Sequence, residues 1–263
     1  MFQKKSPLDA EWEKLIKIED KFLNNRVDKK DSFLNKKISE KVPEKLQSTL
    51  NSAFAKAFEA VFDKGTDVIE KTYKKEELQK DFKINQYADE VRQSKKSLKA
   101  FGKKAQNLRS VNLLLSGVSG MGMGFAGIGI PDIPVFTGMI LKSIYEIALS
   151  YGFEYETEGE RRFILMIIQG AVSYGEALLA ADTAIDDYIG NVTVPDDYDE
   201  KEQIVRTAES LSKELLYMKF IQGIPLVGVV GGAYDVVYLK KITDYADIKY
   251  KRRFLTKKRS RFS

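Results

Sequence analysis

The stretch "VPEKLQSTLNSAFAKAFEAVFDKG", residues 42–65, places Leu46, Leu50, Phe54, Phe58 and Phe62 at every fourth position. A strand alternates with period two, so this spacing draws a single apolar stripe down a helix. Pro43 suits the first turn and Gly65 a C-terminal stop. The same reading extends outward in both directions. Residues 1–35 form an N-terminal amphipathic helix rich in Lys and Glu. Downstream, "TEGERRFILMIIQGAVSYGEALLAADTAIDDYIGN" opens on Thr157-x-x-Glu160, a capping-box pattern, and reads as helical to Gly190. The polar loop "NVTVPDDYDE" follows, then a helix from about Asp199 to Gln222. "GGAYDVVYLKKITDYADIKYKRRF" is a last helix running into a basic tail at 249–263. Strand signals are scarce and no long linker divides the chain. The expected fold is therefore all-α, a single multi-helix domain over 1–263.

Two apolar, helix-breaking segments interrupt this pattern. Between Val111 and Leu141 the only charge is Asp132, and "FIQGIPLVGVVGGAY", 220–234, has none. Each contains Gly-Ile-Pro, at 129–131 and 223–225. The first is a poor spanning helix, because it is dense in glycine and broken at Pro131-Asp132-Ile133-Pro134. A hairpin or re-entrant shape, interfacial insertion, or a buried cavity fits better. On this reading the lipid- or membrane-binding residues are Gly120, Met121, Met123, Gly124, Phe125, Gly127, Gly129, Pro131, Asp132 and Pro134 in the first segment. In the second they are Gly223, Pro225, Gly228, Gly232 and Asp235. Ser116, Gly120 and Gly124 also form a small-xxx-small row, which would serve equally as a tight helix crossing. Asp132 reads first as the cap of the helix after it, and second as an acid in an apolar pocket, with Asp235 as a possible companion.

Composition narrows the chemistry. The 263 residues include no cysteine and no histidine, which removes disulfides, thiolate metal sites and the commonest general base. No metal, cofactor or catalytic residue is expected. Gly122-Met-Gly124-Phe-Ala-Gly127 matches a dinucleotide fingerprint, but helix breakers follow at once where that motif needs a helix. The net charge of +5 conceals an asymmetry. The stretch 249–262 carries eight Lys/Arg and no acid, and without them the chain stands at −3. Lys251, Arg252, Arg253, Lys257, Lys258, Arg259 and Arg261 are read as an anionic-surface grip, with lipid favoured over nucleic acid. Asp182 and Asp186 share a helix face and Glu154, Glu156 and Glu158 a loop, both read as solvated. The N-terminus lacks the apolar core of a secretory signal. The expected location is cytoplasmic, peripheral on the inner face of the cell membrane.

Residues 129–154, "GIPDIPVFTGMILKSIYEIALSYGFE", resemble the EcsC protein family. Its signature is a glycine-rich run, a Pro-Asp-(Ile/Leu)-Pro break and a helix ending Ile-Ala-x-x-Tyr-Gly, here Ile147, Ala148, Tyr151 and Gly152. Ile224, Pro225, Gly228 and Gly232 are similar to its second signature, with Asp235 where an Asn is expected. Residues 42–73 are similar to its N-terminal part. The resemblance implies a bacterial accessory role linked to ABC transport or the envelope, with membrane lipid or transporter subunits as partners, and supplies no catalytic residues. A protein-interaction role without lipid, and a carboxylate enzyme acting on lipid-like substrates, are the alternatives.

Overall fold

In the computed structural model, residues 5–27, 43–108, 132–221 and 233–261 are described. Among them there are ten α-helices and no strand: α1 (Pro7–Val27), α2 (Glu44–Ala60), α3 (Thr66–Glu70), α4 (Lys75–Arg92), α5 (Lys95–Leu108), α6 (Asp132–Ser150), α7 (Glu158–Ala171), α8 (Gly175–Asn191), α9 (Glu200–Ile221) and α10 (Ala233–Arg259). The all-α expectation holds.

The stripe on α2 is real. Leu50, Phe54 and Phe58 are buried, and Phe62 continues it. Gly65 does not stop the chain, however. Val61–Gly65 is a π turn that hands over to α3, so the extra residue is absorbed within the helix instead of ending it. The helix from Thr157 also departs from expectation, because it breaks after Ala171 and restarts at Gly175. Gly175 has φ +54, a left-handed value that glycine adopts without a Cβ penalty. The Thr157 hydroxyl does cap α7, accepting from the Glu160 amide at 3.2 Å. The Glu160 carboxylate does not close the box; it is committed to α10.

α10 is the axis of the bundle, and its contacts set the direction of its neighbours. α1 runs antiparallel to it, with Phe22 stacked on Tyr245 and Asp9 beside Arg259. α7 is also antiparallel: Glu160 meets Tyr250 and Arg253, while Gly170 lies against Tyr245. α5 climbs the same way, from Ser97 near Lys258 by way of Asp89 to Phe101 on Phe254. α8 descends parallel to α10, Asp182 pairing with Tyr245 and Asp186 with Lys249. α6 descends too, since Phe136 meets Phe54 high on α2 and Tyr151 meets Asp247 and Phe254 low on α10. α9 ascends from Glu200, beside Arg161, to Glu214, beside Lys241. α4 lies across the lower end, from Lys75 at Glu156 to Asp89 at Lys258.

Candidate functional site

The alternation of directions gives the bundle two unlike ends. At the upper end α9 finishes and α6 and α10 begin. α5 stops about halfway up, because Leu108 lies only seven residues past Phe101, which is level with Phe254. The apolar sequence 222–232 therefore leaves and rejoins the described fold at the upper end, and 109–131 rejoins it there. α1 finishes and α2 begins there as well.

Most of the expected lipid-contacting residues fall on those sequences. Gly120, Met121, Met123, Gly124, Phe125, Gly127, Gly129, Pro131, Gly223, Pro225, Gly228 and Gly232 lie outside the described residues. Asp132 is the first residue of α6 and Asp235 lies in the first turn of α10, both at the upper end; only their backbone is described. Pro134 is buried in the first turn of α6. The window Ile133–Ser150 is apolar enough to cross a membrane, yet 94% of it is buried in protein. It is the core helix of the bundle, and Thr137, Ser143 and Glu146 are buried along it.

The basic stretch at 249–263 differs most from its reading as a tail. Residues 249–259 are the last three turns of α10, with Tyr250, Phe254 and Leu255 buried. Their cations are spent on acids of other helices. Lys251 bridges Glu11 at 3.0 Å, Arg252 bridges Asp186 at 2.8 Å and also Glu19, and Arg253 bridges Glu160 at 2.6 Å. Lys258 bridges Asp89, and Arg259 lies 3.7 Å from Asp9. A helix built this way is not a free grip for an anionic surface. Of the acids read as solvated, Asp186 is one to which this charge goes.

Lys249 is the centre of this arrangement. Its ammonium is fully buried and sits 2.7 Å from Glu19, 2.6 Å from Asp182 and 2.8 Å from Asp186. Those three carboxylates converge closely enough to hold a metal ion, but the ammonium occupies the place a cation would take. Burial alone would lower the Lys249 pKa; the three acids outweigh it and hold it raised. Burial likewise raises the Glu19 pKa, more than Lys249 and Arg252 lower it, because three acids share two cations. The partners are up to 230 residues apart, so no local pattern could reveal them. Only the uninterrupted basic run offered a signal, and it was a signal of sign alone.

A second polar network closes the lower end. The Tyr155 hydroxyl donates to Glu70 at 2.5 Å and meets Tyr73 at 2.6 Å, while Lys75 bridges Glu70 and Glu156. Burial would raise the Glu70 pKa, but hydrogen bonds from Lys75 and Tyr155 win and lower it. The residues of the Ile-Ala-x-x-Tyr-Gly signature lie close by and serve packing. Ile147 and Ala148 are buried, Tyr151 donates to Asp247 at 2.8 Å, and Gly152 turns the chain at φ +79 beneath the Phe82 ring.

An antiparallel all-α bundle, its basic last helix tied by ion pairs to the helices around it, is the class these features define. The chain belongs to the EcsC protein family, whose model matches residues 9–255. Among curated proteins and solved structures, no match to the chain was found.

Proposed function

We propose that this is a peripheral membrane protein that docks by the upper end of its bundle, as an accessory to transport or envelope processes. The observation that carries the reading is the convergence of three helix ends: the start of α6, the end of α9 and the start of α10. Their connecting sequences, 109–131 and 222–232, contain Arg109 as their only charged residue. An apolar sequence anchored at one end of a rigid bundle enters an interface to a depth set by its buried apolar area. Residues 28–42 join α1 to α2 at the same end and carry Lys29, Lys30, Lys36, Lys37 and Lys41 against Asp28, Asp31 and Glu40, a net charge of +2. Cations beside an apolar entry point favour an anionic leaflet. That role passes to this segment from the basic helix, most of whose cations are paired.

The test is flotation with vesicles of phosphatidylcholine containing anionic phosphatidylglycerol. Met123→Asp with Val229→Asp should abolish flotation while leaving the thermal unfolding transition in place. Unchanged flotation of this variant would count against docking by the upper end.

A further inference from the structure

At the lower end, between α4, the Tyr151–Phe153 turn and the end of α10, lies a partly open cavity of about 470 Å³. That volume is within the range of small-molecule sites. Its walls are aromatic: Phe82, Tyr151, Phe153 and Phe254 line it. Its cations divide into two kinds. Lys258 is bound to Asp89 and so is neutralised. Lys257 and Arg261 also line the cavity, are exposed, and have no carboxylate within bridging distance among the described residues. Within 249–261 they are the exceptions, since Lys249, Lys251, Arg252, Arg253, Lys258 and Arg259 all have acidic partners.

Lys257 lies in the last turn of α10 and Arg261 in the turn that follows it, and both line the same cavity. Like charges gathered at one cavity repel, and an anion between them relieves that repulsion. Glu90 also lines the cavity and accepts from Gln86 at 3.1 Å, a neutral partner that leaves its charge in place; Lys257, Lys258 and Arg261 still outnumber Asp89 and Glu90, so the lining is net positive. We infer that this cavity is a binding site for a soluble organic anion. A phosphate or carboxylate head would lie between Lys257 and Arg261, and a flat apolar body against Phe82, Phe153 and Phe254. The head draws on charge-assisted hydrogen bonds, for which the Arg fork suits a planar or tetrahedral oxyanion. The body draws on stacking and apolar burial. The choice of a soluble ligand over a lipid head group rests on the proposed docking by the opposite end. The existence of the site does not.

Titration calorimetry of the full chain with phenyl phosphate, without vesicles, tests the site. One saturable site is expected, with phenol and inorganic phosphate each weaker by about tenfold or more, because each supplies only half of the recognition. Lys257→Gln with Arg261→Gln should weaken phenyl phosphate by about tenfold, and Glu90→Gln should tighten it by about twofold, as the neighbouring negative charge is removed. Lys257 and Arg261 are exposed, so an unshifted thermal transition would show that the double variant still folds. Absence of saturable binding at millimolar concentration, or equal binding by the double variant, would overturn the site. Displacement of bound phenyl phosphate by phosphatidylglycerol vesicles would overturn the assignment to a soluble ligand while leaving Lys257 and Arg261 as the anion-binding pair.

Discussion

The two ends of this bundle solve the problem of termination in opposite ways. At the lower end, helices stop on polar partners. Thr157 caps α7, Tyr155 donates to Glu70, and the cations of α10 reach acids on α1, α4, α7 and α8. At the upper end, α9 runs out into sequence with almost no charge, and α6 and α10 emerge from it. Positive charge in the sequence therefore does not mark the surface available to an anionic partner. What counts is whether the charge is already compensated, and in α10 most of it is.

The comparison breaks most visibly if the basic helix is removed. Deleting residues 249–263 takes away Tyr250, Phe254 and Leu255, each worth about 1.5–3 kcal/mol of burial, and strands Glu11, Glu19 and Glu160. The expected outcome is a chain without a cooperative unfolding transition by circular dichroism. A disposable tail would leave that transition intact. Lys249→Met is next. It abandons two buried carboxylates, Glu19 and Asp182, and the half-buried Asp186, and urea denaturation should show a loss of about 3–5 kcal/mol, the cost of breaking a buried ion pair from one side. Adding Asp182→Asn and Asp186→Asn should recover part of it.

Alkaline pH acts on Lys249 and on two tyrosines buried elsewhere in the core. Burial holds the Tyr145 and Tyr250 hydroxyls above their ordinary range, and the surrounding acids hold Lys249 above its own. All three keep their protons more firmly folded than unfolded. Their stabilisation is complete below the unfolded values and is lost as pH climbs through the folded ones. The melting temperature should therefore fall steadily from about pH 10 upward.

Single-residue backbone changes at the lower end sharpen the picture further. A Cβ at Gly152 would lie 2.2–2.6 Å from three atoms of the Phe82 ring, at φ +79, so Gly152→Ala should cost about 1–3 kcal/mol in urea denaturation. Smallest of all, Val192 ends α8 at φ 42 and is exposed. Val192→Gly should raise stability by up to about 1 kcal/mol, because glycine takes this left-handed position without strain.

Features that depend on local order were legible in the sequence. The Phe54-Phe58-Phe62 stripe, the Thr157 cap and the start of α6 at Asp132 each follow from residues within a turn or two of one another. The π turn at Val61–Gly65 was not legible, because Gly65 reads as a stop unless the next helix is known to continue the same axis. Neither was the division at Ser173, where the apolar pattern runs on through both helices. The charge network was hidden for a different reason. Glu19, Asp182, Asp186 and Lys249 come from three helices, and their meeting is a property of topology. Asp182 and Asp186, spaced like any solvated pair, differ from one only in what α10 places against them. The cavity at Lys257 and Arg261 escaped notice because the sequence offers eight similar cations and no means of telling which six are taken.

The absence of cysteine makes the central claim directly measurable. A single environment-sensitive fluorophore can be placed at the upper end through Gly124→Cys, or at the lower end through Ser260→Cys, and each protein mixed with phosphatidylglycerol-containing vesicles. A blue-shifted, brighter emission from the label at 124, with no change at 260, is the predicted result. A shift at 260 with none at 124 would contradict docking by the apolar end and return the role to the basic helix.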